Sequence, residues 1–540
     1  MNEETTTRIP EGLRREATAL GLEFVDDAAS AALATDIAAR IPSDWARTRM
    51  LVPVRLNGEP CLLTSRPRAI EDQVQASQLA AMPLHIAVAT EDIVADLLGR
   101  TYAAGASQST ASLIGEMSAP TTDAPAQETA SPSAEISGDL LGAAEAAPVA
   151  RLVNLILLEA VRQGASDIHF EPFEDRLSVR YRVDGVLYPA ANPPKNMELA
   201  LVSRLKVMAG MDIAERRLPQ DGVAQARVGG RPIDIRVSTV PVADGERVVL
   251  RLLNRSDAML PLTSLGMDDA MLADFSRLLR SPNGMIVVSG PTGSGKTTTL
   301  YSALGGIDSA RRNILTIEDP VEYRLQNIGQ IQVKPKIGLT FASGLRHILR
   351  QDPDVVLVGE TRDAETAEIA VRAALTGHLV FTTLHTNDAP SAVMRLVEMG
   401  VQPYLVASCL RGVLGQRLVR RLCTHCRVQR GMQNAESVLA GMPGYAEIAT
   451  ALAEYQQKEF WSAGPGCQHC REGYSGRAGV FELMVFSQDL REAVRPGNIA
   501  AGALRRAAME QGMRTMAADA AAKVAAGITD IAEAAGALAG

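Results

Sequence analysis

At 540 residues the chain is too long for one hydrophobic core, and its length predicts about three or four domains. Apolar residues make up 46% and charged residues 21%, an ordinary globular balance, while aromatics at 4% leave the core mostly aliphatic. The net charge of −8 weighs against a nucleic-acid partner, because such domains usually carry a basic footprint.

The opening stretch Met1–Glu16 has no apolar segment of the kind a signal peptide needs, and no run of about 18 apolar residues follows anywhere. The expectation is a cytoplasmic protein whose membrane contact goes through a partner. Six cysteines in such a chain point to metal or to buried thiols rather than to disulfides.

In chain order, residues 1–102 read as a small N-terminal domain. Val52 to Leu63 fits two short strands about an Asn57-Gly58 turn, and Glu91 to Leu98 fits an amphipathic helix. From Thr101 to Ala150 there is no Lys or Arg, and Ala, Ser, Thr, Pro and acidic residues dominate. This composition predicts a flexible acidic linker over 103–147, with an r.m.s. span of roughly 35 Å, against the alternative of an Ala-rich helix. Order resumes at Pro148, well placed for a helix start, with Leu152, Ile156 and Ala160 spaced on one face. Strand-like runs at Asp167–Phe170, Leu177–Arg182, Pro232–Pro241 and within Arg247–Leu253, with an Asp184-Gly185 turn, predict an α+β domain over 148–262.

From 263 to 420 strands alternate with helical segments such as Ala364–Leu375. The strands are read at Met285–Ser289, Ile314–Ile317, Val355–Val358 and Leu379–Leu384. This is the pattern of a parallel sheet flanked by helices, an α/β RecA-like core. The run Gly290-Pro291-Thr292-Gly293-Ser294-Gly295-Lys296-Thr297 is a complete P-loop between a strand and a helix that begins through Thr297 and Thr298. Its glycines turn backbone N–H groups toward a polyphosphate, and the helix N-terminus adds a positive dipole end. Lys296 is expected to reach the β- and γ-phosphates of ATP, and the Thr297 hydroxyl to ligate Mg²⁺.

Acidic and histidine residues stand at the ends of these strands, where α/β proteins place ligands: Glu318-Asp319, Glu360 and His385, with His378 at the start of the last strand. Hydrolysis needs a carboxylate to orient or deprotonate water, and Glu360 is the candidate. Gly359 precedes it where the usual motif carries a magnesium-linked Asp. The metal would then lean on Thr297, the phosphates and water-mediated carboxylates such as Glu318. The histidines suit either γ-phosphate sensing or packing.

Cys423 with Cys426, and Cys467 with Cys470, form two C-x-x-C knuckles with 40 residues between them. Thiolates at this spacing chelate one tetrahedral Zn²⁺, which predicts a zinc subdomain over 421–480 pinned at its base. His425 and His469 are spare ligands, and Cys61 and Cys409 read as packed side chains. Residues 481–540 form an Ala-rich, helical C-terminal region whose packing the pattern leaves open.

Several of these stretches together resemble the type II secretion assembly ATPases, a branch of the secretion ATPase superfamily that also holds type IV pilus motors. The likeness rests on Leu205–Gly222, Arg236–Pro241, Gly245–Leu253, the P-loop and Glu318–Glu322. It also rests on Leu349–Asp354, Gly359-Glu360, Thr376–Asn387 and the cysteine knuckles. It is dense over 148–485 and weak over the N-terminal domain. The resemblance implies a homohexameric ring with nucleotide on the core beneath the 148–262 domain, whose Arg236 and Arg251 approach the γ-phosphate; their plain alternative is an ion pair within that domain. Arg350 and Arg362 are further arginine candidates. Thr361 departs from the aliphatic residue usual there, and the acidic linker is unusually long.

The resemblance also implies that the N-terminal domain docks to inner-membrane platform proteins, and it leaves room for peripheral contact with acidic lipid. No nucleic acid is expected. The reading is an ATP-hydrolysing secretion motor with ATP, Mg²⁺ and Zn²⁺. Its rivals are a pilus extension ATPase, a nucleic-acid translocase on the same core, and a nucleotide-sensing scaffold without turnover.

Overall fold

A computed structural model describes residues 11–27, 31–38, 40–41, 46, 49–66, 70–80, 82–104, 148–228, 231–254, 260–431, 441–455, 459–496 and 500–539. The chain divides into two compact units at Asn254/Arg255. No helix among the described residues is long and apolar enough to cross a membrane. Most of the segment read as a linker, from 105 to 147, lies outside the described residues.

In the first unit, residues 23–89 build a five-stranded sheet in the order Glu23–Val25, His85–Ala89, Glu59–Thr64, Leu51–Leu56, Ala32–Leu33. Asn57 and Gly58 both hold positive φ, 51° and 89°, as a two-residue turn between antiparallel strands requires. The helix read at Glu91–Leu98 runs on to Ala104, and Val94 and Leu97 enter the core.

Residues 148–254 form a six-stranded antiparallel sheet. Its order is Val186–Ala191, Leu177–Val183, Ala165–Pro172, Gly245–Asn254, Arg231–Val242, Gln220–Val228. Alternation decides its two faces. Leu177, Val179, Tyr181 and Val183 are buried with Leu152, Ile156 and Ala160 of the helix Pro148–Arg162 and with Leu201 and Leu205 of the helix Glu198–Met208. Tyr181 donates to the Ile156 carbonyl at 2.9 Å, tying helix to sheet. The opposite face carries Asp167, His169 and Glu171 beside Arg180, Arg182, Arg247 and Arg251.

The second unit holds a seven-stranded sheet. Its order is Gly329–Gln332, Ile314–Glu318, Val355–Val358, Leu379–Leu384, Gly284–Ser289, Leu410–Leu422, Tyr474–Val485. The first six strands are parallel and the last is antiparallel, so the sheet is mixed where strand–helix alternation predicts a parallel one. The reason is local: the chain leaves Leu422 into the cysteine knuckles and returns as a hairpin partner, with no crossover helix to reverse it. Both faces are covered, and the P-loop strand sends Met285 and Val287 into one core and Ile286 and Val288 into the other.

The Ala-rich C-terminal region is packed. Leu504 and Ala508 join the first of those cores, while Met516, Ala520, Val524, Ile531 and Ala535 join a third with Tyr445 and Ile448. Glu482, fully buried on the antiparallel strand, fastens part of this region. Its carboxylate accepts from the amides of Ala389 at 3.0 Å and Met516 at 3.2 Å, each the first residue of a helix. Burial raises its pKa, against those bonds and the Arg505 guanidinium 3.5 Å away. Glu482→Ala strands two buried helix amides and opens a cavity, which costs about 2–4 kcal/mol. Calorimetry is expected to show the melting transition of this unit lowered by roughly 5–10 °C.

Candidate nucleotide and metal sites

The P-loop leaves its strand at Ser289 and turns through Gly290, Gly293 and Gly295, whose φ values are 155°, 81° and 85°. Only glycine fits Gly290, because a Cβ there would lie 2.4 Å from the Gln416 carbonyl oxygen. The helix Lys296–Gly305 makes its first bond from Thr299 N–H to the Gly295 carbonyl, so the amides of Lys296, Thr297 and Thr298 have no partner within the helix and are open at its N-terminus, while the Ser294 amide donates to the Pro291 carbonyl. Pro291, Thr292, Gly293 and Thr297 are exposed, Gly295, Lys296 and Thr298 half-buried, and Ser294 buried.

Lys296 curls back, donating from Nζ to the carbonyls of Gly290 at 2.7 Å and Pro291 at 2.9 Å. Burial lowers its pKa to about 8; the Glu360 carboxylate opposes this and the Arg417 guanidinium adds to it.

Glu360 follows the strand Val355–Val358 and is half-buried. Its carboxylate lies 3.0 Å from His385 Nε2 and 2.7 Å from Arg362 Nη2. Burial pulls the Glu360 pKa upward, but the Arg362 hydrogen bond and charge, with His385 and Lys296, outweigh it and hold the acid below its ordinary value. Burial and the Lys296 charge lower the His385 pKa, so the ring is neutral at pH 7 and its Nε2–H donates to the carboxylate. Residues far apart in sequence, Lys296, Glu360, Arg362 and His385, therefore share one electrostatic site. Thr361 fits between them because its hydroxyl bonds Thr382 Oγ1 at 2.7 Å and its amide bonds the Thr383 carbonyl.

Glu318 adjoins Gly359, the residue before Glu360. Glu318 is the last residue of its strand, not a loop acid, and it is buried. One carboxylate oxygen accepts from Thr316 Oγ1 at 2.5 Å and Gln330 Nε2 at 3.2 Å, and the other from the Tyr301 hydroxyl. Both oxygens are thus engaged by the protein. His378 bonds the Ala373 carbonyl at 3.0 Å, at the opposite end of its strand from His385, and caps the helix Ala364–Leu375. Arg350 contacts His347 at 2.6 Å.

In the other unit Arg236 and Arg251 face each other across neighbouring strands. Arg251 Nε pairs with Asp167 at 2.9 Å while the side chain stays largely exposed. Two arginines opposite one another repel, which an acid or a bound anion offsets.

Gln416 escaped the sequence reading. It is buried on the strand beside the P-loop, donates to the Ser294 carbonyl at 2.7 Å and accepts from Thr299 Oγ1 at 2.8 Å. No motif marks it, since its strand is recognisable only by pairing.

The four cysteines converge. Their sulfurs all lie within 4.8 Å of one another, with Cys423–Cys467 at 3.7 Å, Cys426–Cys470 at 3.5 Å and Cys467–Cys470 at 3.6 Å. A tetrahedron of thiolates about a zinc ion has edges of about 3.8 Å, so the set fits such an ion. His425 and His469 stack on each other, centroids 4.2 Å apart, and the four sulfurs fill the shell without them. Cys61 and Cys409 are buried, unbridged thiols.

The depressed Lys296 pKa gives a signed expectation. Its charge penalises the unliganded fold below pH 8, and the penalty disappears as pH rises from 8 past the ordinary lysine value. Lys296→Met is therefore expected to raise the unliganded melting temperature at pH 7, with the gain fading by about pH 10, as thermal melts across that range will show.

Residues 142–536 match the family described as type II/IV secretion system protein, and residues 20–108 match the MshEN domain. Type II secretion system protein HxcR of Pseudomonas aeruginosa is 53% identical over 396 residues, 73% of this chain and 78% of that one. Type II secretion system ATPase E of Vibrio cholerae is 51% identical over 356 residues, 66% of this chain and 69% of that one. Among solved structures, the Legionella pneumophila ATPase DotB aligns with a TM-score of 0.53 at 22% identity, over 71% of this chain and 94% of that one, a likeness of fold. A family match over most of the chain, together with relatives at about half identity, establishes that the chain belongs to the type II/IV secretion system family, among its type II secretion ATPases.

Proposed function

We propose that the chain is the ATP-hydrolysing motor that powers pseudopilus assembly and protein export in a type II secretion system. It would work as a hexamer in the cytoplasm, attached to inner-membrane platform proteins through the domain at 1–102. The acidic linker 103–147 would join that domain to the 148–262 domain, which is followed by the core at 263–420, the zinc subdomain at 421–480 and the helical region at 481–540.

The observation that carries this reading is Glu360, a carboxylate held ionised by Arg362 and hydrogen-bonded to His385, in the same electrostatic site as the P-loop lysine. With ATP on Gly290–Thr298, Lys296 would leave the two loop carbonyls for the β- and γ-phosphates. Thr297 would hold Mg²⁺, which when bound neutralises charge on the phosphate oxygens. Thr297 is exposed at the open helix end, as that role requires, whereas Glu318 would support the site from behind, through Tyr301. Glu360 would orient the attacking water and take its proton, with His385 fixing the carboxylate. Arg236 and Arg251 would reach the γ-phosphate on closure of the 148–262 domain and stabilise developing charge.

Steady-state hydrolysis tests this. Glu360→Gln is expected to lower kcat by about 10²- to 10⁴-fold while ATP binding persists. Equal turnover in the mutant would sink the role of Glu360. Stimulation of the wild type by acidic phospholipid with a platform protein's cytoplasmic part supports the secretion reading, and stimulation by single-stranded DNA instead overturns it.

Zinc would close the subdomain at 421–480 through Cys423, Cys426, Cys467 and Cys470. Metal analysis is expected to find about one zinc per chain, absent from Cys426→Ser, with a lower melting temperature in the mutant.

A further inference from the structure

Arg417 follows Gln416 on the strand Leu410–Leu422, whose Gly415 pairs with Ser289 at the start of the P-loop. The Gln416 carbonyl that crowds Gly290 belongs to the peptide bond leading into Arg417, so the arginine backbone adjoins the loop directly. The residue is 5% exposed. Its bonds are long, Nε to the Ala537 carbonyl at 3.3 Å and Nη2 to Asn387 Oδ1 at 3.4 Å, and Nη1 is buried with no partner.

No carboxylate among the described residues forms an ion pair with it. The acid that acts on it electrostatically, Asp388, is committed to Arg505 at 2.5 Å and to capping its own helix at Ser391. Lys296 is close enough for the two cations to repel. A buried guanidinium without an acid, beside a desolvated lysine, is costly unless an anion joins them.

We propose that Arg417 is a phosphate-binding residue of the nucleotide site, closing on the polyphosphate together with Lys296 and linking its occupancy to Asn387 and to the end of the last helix, Ile531–Ala539. Both ends of that link are anchored. Asn387 lies two residues after His385, and the helix is held to the strand that leads into the cysteine subdomain by Glu533 on Arg420, 2.5 Å away. Asp530, just before the helix, holds Tyr474 at 2.7 Å. Nucleotide binding would thus draw on the same helix that braces the metal-binding subdomain. This rests on the proposed ATP site.

The test uses the full chain as wild type, Arg417→Gln and Arg417→Lys. Melting temperature is followed with Mg·ADP, with pyrophosphate and with adenosine, alongside KM and kcat for ATP. Arg417→Gln is expected to weaken ADP and pyrophosphate binding about 10- to 100-fold, the range for losing a charge-assisted bond. Adenosine should have no effect on either protein, the unliganded melting temperature should hold or rise, and Arg417→Lys should recover part of the affinity. Undiminished ADP and pyrophosphate binding in Arg417→Gln, or equal losses of stability with and without ligand, would reduce Arg417 to a brace for the last helix and overturn the proposal. Should the glutamine variant not fold, full wild-type affinity in Arg417→Lys overturns it equally. A wild type that ADP does not stabilise would sink the ATP-site reading itself.

Discussion

The core depends on the contact between the P-loop and the strand that follows it in the sheet. At Gly290 the loop backbone runs against the Gln416 carbonyl with no room for a side chain. The Gln416 amide then holds the Ser294 carbonyl and the Thr299 hydroxyl. Loop curvature is therefore imposed from outside as well as by its glycines. A phosphate cradle must be shaped before the phosphate arrives, or binding energy goes into ordering it. Buried hydrogen bonds from a central strand achieve that shape at a site that is otherwise partly open.

Around this contact the charges are arranged unevenly. Glu360 is kept ionised by Arg362, His385 and Lys296, while Lys296 and Arg417 are held with too little negative charge near them. The site thus holds an ionised carboxylate beside two cations short of an anion. On the proposed function a polyphosphate would meet those cations and turn its terminal group toward Glu360. Buried acids serve different ends elsewhere. Glu318 is fully engaged behind the P-loop helix, and Glu482 ties two helix starts to the edge strand.

The cysteine subdomain is an elaboration of one hairpin. Strands Leu410–Leu422 and Tyr474–Val485 pair antiparallel, and the knuckles sit where they part. Arg427 lies over the Trp461 ring, 4.3 Å from its centroid, and donates to the Gly527 carbonyl at 2.6 Å. Arg420 lies 3.9 Å from the Tyr474 ring centroid. The C-terminal helices are thereby seated on the hairpin rather than left as a tail, and the strand carrying Gln416 and Arg417 runs beneath both.

The P-loop, the strand ends bearing Glu360 and His385, and the cysteine knuckles were legible in the sequence, because each is a short run whose chemistry depends on spacing along the chain. So were the Asn57-Gly58 and Asp184-Gly185 turns and the helix Ala364–Leu375, whose signals are local φ demands and a 3.6-residue period. Tertiary structure alone decided which residues from separate strands share a site. It turned Glu318 inward to Tyr301, bonded His378 to the Ala373 carbonyl, and added an antiparallel edge. It also packed the Ala-rich helices and drew Gln416 against the P-loop. The physical reason is that strand order and side-chain direction are set by pairing between distant segments and by the burial each face must achieve, and neither leaves a mark within a window of neighbouring residues.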